Sequence, residues 1–171
     1  MSFLVVMIGV GCKAKEQPNT QQTGSSSMAA SSPMIQDENN FDSKLWKKQG
    51  VTITPAAVAA PDGKGKADMI KFEKKDATIF QQDKVPVKAG DTVSGSMYLW
   101  AKSPVTIMLS VARGCEDENY ESEIQKITLT QTPVRYDVKH AFKMTHDCSR
   151  IQLISYGEAE IYAWGAKLGK E

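Results

Sequence analysis

The residues best suited to chemistry stand on alternate positions of one short run. Between Thr92 and Ala101 polarity switches at every step, so Thr92, Ser94, Ser96, Tyr98 and Trp100 point one way and Val93, Gly95, Met97, Leu99 and Ala101 the other. Hydroxyls, a phenol and an indole form a costly row to leave facing water unless another surface or a ligand meets them. Flat aromatic side chains pack on the apolar C–H face of a sugar ring, while polar neighbours take its hydroxyl groups. Two later runs carry complementary groups: Arg135, Asp137 and Lys139 on one, and Arg150, Gln152 and Tyr156 on the other. If the three runs neighbour one another in one sheet, they make an aromatic floor edged by charged and amide groups. The expected ligand-binding set is Ser96, Tyr98, Trp100, Arg135, Asp137, Gln152 and Tyr156. The competing reading packs Tyr98 and Trp100 beneath loops, or under the segment from Phe41 to Trp46.

The elements that must position these residues are strands. From Phe41 onward, short alternating or β-branched runs recur between Gly, Pro, Asp and Lys turns, and no run keeps a helical period for three turns. Nine strands are expected: 51–54, 68–72, 78–82, 92–101, 105–113, 124–130, 134–142, 150–156 and 160–168. That spacing predicts an all-β, antiparallel β-sandwich or jelly roll. Its expected core is Val93, Met97, Leu99, Val105, Ile107, Leu109, Val111, Ile127, Leu129, Tyr136, Val138, Ile151, Leu153 and Ile161. Gly90 and Asp91 form the turn that opens the central strand.

Four motifs in order carry a family resemblance. Trp46, Val51-Thr52-Ile53-Thr54 and Ala60-Pro61-Asp62-Gly63 with Ala67-Asp68 come first. Ala89-Gly90-Asp91-Thr92 leading into Ser96 to Lys102, then Pro133 to Val138, and finally Ile161 to Leu168 complete the set. Together they resemble the jelly-roll domain of phage tail and bacterial surface proteins, which is similar to galactose-binding-like carbohydrate-binding modules. The resemblance implies a non-catalytic sandwich over 41–171 that binds glycans or serves as a structural module. It also implies that Trp46 and Trp164 close the sandwich at strand ends. Trp164 stands where many such sandwiches place a calcium-binding Asp, so no metal is expected there.

The start of the chain reads differently. Phe3 to Val10 is apolar and leads into Gly11-Cys12-Lys13. The run is too short to span a bilayer as a helix but suits a signal-peptide core. It resembles the processing box of bacterial lipoproteins, which implies a signal segment over 1–12, lipidation of Cys12, and export to the periplasm or cell surface with a membrane anchor. The alternative is an apolar tail with an incidental cysteine. Residues 13–40 are rich in Gln, Ser, Thr, Asn, Ala and Pro and show no apolar period, so they read as a disordered tether. About 28 such residues reach about 30 Å.

The formal net charge of +1 supplies no electrostatic footprint for nucleic acid. Cys115 follows one predicted strand and Cys148 precedes another; were those strands antiparallel neighbours, the cysteines would meet. An exported domain would keep such a disulfide, and the alternative is two buried thiols. Glu116, Asp117, Glu118, Glu121 and Glu123 make an acidic loop, with His146 and Asp147 brought near if that bridge forms, and it reads as a solvated loop, not a calcium site. Zinc spacings, phosphate-cradling glycine loops and nucleophile elbows are missing from the sequence, so neither cofactor nor enzyme activity is expected. The sequence therefore points to a membrane-tethered, non-catalytic carbohydrate-binding domain whose partner is a glycan or surface polysaccharide. The alternative is a structural or adhesion module of a virion or envelope assembly that binds protein.

Overall fold

The computed structural model describes residues 39–81, 85–113 and 121–171. Cys12, residues 13–38 of the tether expected over 13–40, Gln82, Cys115 and the acidic residues Glu116, Asp117 and Glu118 lie outside the described residues. So do the lipidation and the Cys115–Cys148 pairing expected from them. Within the expected tether, Asn39 Oδ1 accepts from the Gly165 N–H at 2.9 Å.

The described residues form ten strands: β1 (Trp46–Gln49), β2 (Val51–Ala59), β3 (Lys66–Phe72), β4 (Thr78–Gln81), β5 (Thr92–Trp100), β6 (Val105–Arg113), β7 (Ser122–Leu129), β8 (Val134–Ala141), β9 (Ser149–Ser155) and β10 (Ala159–Lys170). They make two five-stranded antiparallel sheets, ordered β1-β4-β9-β6-β7 and β2-β3-β10-β5-β8. This is the expected all-β jelly-roll sandwich. β1 is the strand that the sequence hid, because Trp-Lys-Lys-Gln carries one apolar residue and no alternation to read.

The core forms between the sheets from the inward positions of each strand. Val93, Met97, Leu99, Ile107, Leu109, Val111, Ile127, Leu129, Val138, Ile151, Leu153 and Ile161 are all buried, while Val105 and Tyr136 pack at the margin, partly exposed. Phe41, Trp46, Ile70, Phe72, Ile79 and Phe142 add to it. Trp46 packs against Phe41 with ring centroids 4.7 Å apart and the rings tilted by 37°.

One contact fixes which side chains face inward. A Cβ on Gly95 would lie 2.8 Å from Val111 Cγ2 and 2.9 Å from Ile151 Cδ1, so β5 of one sheet presses directly on β6 and β9 of the other. Val111 and Ile151 therefore point into the core, and their neighbours Ser110, Ala112, Arg150 and Gln152 point out. In β10 a bulge between Trp164 and Lys167, with Gly165 at φ 65°, inserts an extra residue. Tyr162, Trp164 and Lys167 thus stay outward while Ile161, Ala163, Ala166 and Leu168 stay in the core.

The entry of the chain is tied to this frame by a buried carboxylate. Asp68 Oδ2 accepts from the Phe41 N–H (2.8 Å) and Oδ1 from the Ala56 N–H (2.9 Å). The second bond holds the irregular stretch of β2 around Ala56, whose φ is 52°.

Candidate functional site

The expected ligand-binding residues fall on two different faces. β5 and β8 are neighbours, with Tyr98 opposite Arg135 and Ser96 opposite Asp137, so Ser96, Tyr98, Trp100, Arg135 and Asp137 share the outer face of one sheet. β9 belongs to the other sheet. Gln152 and Tyr156 are therefore across the sandwich, and the single platform joining all seven residues does not exist. Alternation told which residues shared a face of each strand but carried no information on strand order.

On the β5–β8 face the predicted groups mostly satisfy one another. The Arg135 guanidinium donates to Ser96 Oγ, lies 5.5 Å from the centre of the Tyr98 ring, and sits 3.7 Å from Asp137. The other neighbour of Tyr98 is Trp164, at 5.7 Å. Trp100 stacks on Tyr162 at 5.4 Å with the rings 27° apart, and Ala67 packs beside them. This is a second, smaller apolar cluster built on the outside of a sheet.

The opposite outer face holds a row that crosses all five strands. Lys47 stands opposite Phe80, Phe80 opposite Gln152, Gln152 opposite Ser110, and Ser110 opposite Ile124. A parallel row runs Gln49, Thr78, Ile154, Met108 and Lys126. Ser110 and Ala112 have no exposed surface although they point away from the core, so the middle of the sheet is a floor of small residues between larger flanking ones. The Ser110 hydroxyl is buried without a hydrogen-bond partner, a state that costs about 1–3 kcal/mol. On one side the Arg150 guanidinium covers the Phe80 ring at 3.9 Å. On the other, Tyr156 is 42% exposed with the Lys126 ammonium 5.0 Å from its ring centre, and Ile124 is 46% exposed. Ser110, Phe80 and Ile124 were missed in sequence; the signal was a serine inside the apolar alternation of β6.

A polar cluster marks one end of the sandwich. Both histidines of the chain address Glu121: His140 Nε2 lies 3.4 Å from one carboxylate oxygen and His146 Nε2 3.3 Å from the other. The Lys143 N–H donates to Glu121 at 2.9 Å. That bond first, then the two imidazoles, holds the Glu121 carboxyl below its usual range against the opposing effect of burial. Among the described residues no group of three or more His, Cys, Asp or Glu is placed to hold a metal ion.

No family model matches this chain, and no curated protein matches it in sequence. Solved structures do match in fold. The enzymatically active domain of tailspike protein 4 from bacteriophage CBA120 superposes with a TM-score of 0.64 at 13% identity, over 81% of this chain. This chain spans only 21% of the tailspike chain. The CBM22-1 xylan-binding domain of Paenibacillus barcinonensis Xyn10C gives 0.56 at 14% identity, covering 73% of this chain and 85% of the other. A family 4 carbohydrate-binding module gives 0.58 at 14%, covering 78% of this chain and all (100%) of the other. The fold is thus the jelly-roll sandwich found in carbohydrate-binding modules and in a phage tailspike. At such identities the likeness speaks for architecture alone.

Proposed function

We propose that this chain is a non-catalytic carbohydrate-binding domain, and that the glycan lies along the row crossing β1, β4, β9, β6 and β7. The observation that carries the reading is the exposed Tyr156 ring beside Lys126, with Ile124 also exposed on the same outer face. The Tyr156 ring offers a flat surface to a pyranose, and the Lys126 ammonium beside it offers a donor to a sugar oxygen. Gln152 and Tyr156 belong to this site. Likeness to a xylan-binding domain and to a family 4 module supports the ligand class. The two rows carry no carboxylate, so they hold no acid pair of the kind that glycoside hydrolysis uses.

We further propose that the domain is exported and anchored through lipid on Cys12, with Cys115 bonded to Cys148. The β6–β9 register ends at Arg113 opposite Ser149. Cys115 lies two residues beyond the first and Cys148 one before the second, which supports the pairing. Acyl labelling of wild type against Cys12→Ser tests the anchor; equal labelling rules it out.

The test of the site is affinity electrophoresis and a glycan array with wild type and Tyr156→Ala. Loss of the aromatic surface should weaken binding about tenfold, equivalent to about 1.4 kcal/mol. Absence of signal on every glycan refutes the reading. It would favour a structural module that meets protein, a role supported by exposed Ile124.

A further inference from the structure

The outer face of the other sheet holds a cavity that the proposed groove does not use. It has a volume of about 320 Å³ and is lined by Val58, Trp100, Ala101, Lys102, Gln131 and Tyr162. Trp100 and Tyr162, stacked on each other and only 8% and 5% exposed, supply the aromatic side of its lining. Trp100 faces outward because alternation on β5 puts Leu99 into the core, and Tyr162 does so because it stands opposite Trp100 on β10. The polar groups come from loops: Lys102 from the β5–β6 turn and Gln131 from the β7–β8 turn. Gln131 Nε2 donates to the Lys102 carbonyl at 2.9 Å, which ties the turns together. The Lys102 ammonium lies 6.0 Å from the centre of the Tyr162 ring. The rim is therefore built from two joined loops and not from one loose side chain.

We propose that this cavity is a second binding site, for a single pyranose ring with an acceptor oxygen directed at Lys102. The volume suits one ring. A pyranose has one apolar face for the Trp100–Tyr162 wall and equatorial oxygens for an amide and an ammonium. The cavity and the groove lie on opposite sheets, so a domain using both would join two glycans, or a chain and a terminal sugar. This inference does not depend on the groove.

The experiment is a titration of the full chain with the methyl glycosides of a neutral hexose and of a hexuronic acid, followed by 1H–15N spectra. The indole N–H of Trp100 reports the cavity, and the resonances of Ile124 and Tyr156 report the groove in the same samples. A saturable shift of the Trp100 indole is expected. Gln131→Ala and Lys102→Ala, both changes at loop positions, should each weaken it about three- to tenfold. Val58→Phe should abolish it by filling the cavity. A stronger response to the uronate gives Lys102 a carboxylate partner; an equal response gives it a hydroxyl. If Trp100 does not move with either glycoside, or if Val58→Phe leaves the shift intact, the inference is overturned. Movement at Ile124 and Tyr156 alone would refute the cavity and leave the first site standing; movement at Trp100 alone would support the cavity and leave the first site to the glycan array.

Discussion

Gly95→Ala tests the contact on which both candidate sites rest. The added methyl would lie 2.8 Å from Val111 Cγ2, 2.9 Å from Ile151 Cδ1 and 3.2 Å from Ile151 Cγ1. Carbon atoms settle at about 3.5–4.0 Å, so the neighbours must retreat by about 0.7 Å or more. Ile151 can turn its terminal methyl aside, but Val111 is branched at Cβ and has little rotamer freedom. Overpacking of this kind costs about 1–3 kcal/mol, and removing a glycine from a strand returns about 0.5–1 kcal/mol. The net expectation is a loss of about 1–2 kcal/mol, or a fall of about 3–8 °C in Tm for a domain of this size. Urea denaturation followed by tryptophan fluorescence measures it. A double-mutant cycle isolates the cause. Val111→Ala alone should destabilise by leaving a cavity, but combined with Gly95→Ala the total should fall short of the sum by about 1 kcal/mol. A neutral or stabilising Gly95→Ala, or strict additivity, would show that Val111 does not face Gly95. Ser110 would then not point outward, and the groove would have no floor.

Three further outcomes follow from particular contacts. Asp68→Asn removes one of two acceptors from the paired N–H groups of Phe41 and Ala56, and the urea midpoint should report a loss of about 2–3 kcal/mol. Glu121 has a folded-state pKa held below its unfolded value, so its contribution is complete above the ordinary carboxylate range and is lost as pH falls through the depressed value. Wild type should therefore lose more stability than Glu121→Gln between pH 5 and pH 2 (about 4 is the unfolded midpoint); parallel melting curves would exclude this role for Glu121. The proposed Cys115–Cys148 bond should add about 3–4 kcal/mol, and identical melting of the chain with and without reductant would rule it out.

The parts of this molecule that could be read from the sequence are those governed by a period of two. Thr92 to Trp100 showed its two faces directly, because a strand with one side in the core must alternate. Almost every residue named for the core lies there for the same reason. Strand order is set instead by which inner faces fit together, and Gly95 opposite Val111 and Ile151 has no local signature in any one run. Hence Gln152 and Tyr156 were grouped with Trp100 although a whole sandwich separates them.

The same limit explains what was missed at the candidate site. Ser110 sits among Met108, Leu109, Val111 and Ala112, a context in which a serine reads as a neutral interruption of a buried strand. Alternation with Leu109 and Val111 turns it outward, and only the placement of β6 between β9 and β7 puts it at the centre of a row where its hydroxyl has no bond. Tyr98 and Trp100 illustrate the converse: their outward direction was legible, yet their availability was not, because Arg135, Trp164 and Tyr162 come from strands far away in sequence. What a β-sandwich can bind thus depends on the residues that neighbouring strands bring to the outer surface. On this chain those neighbours flank a Tyr98 ring that stays partly exposed, bury Trp100 against Tyr162 with a depression beside it, and leave the Ser110 hydroxyl without a partner.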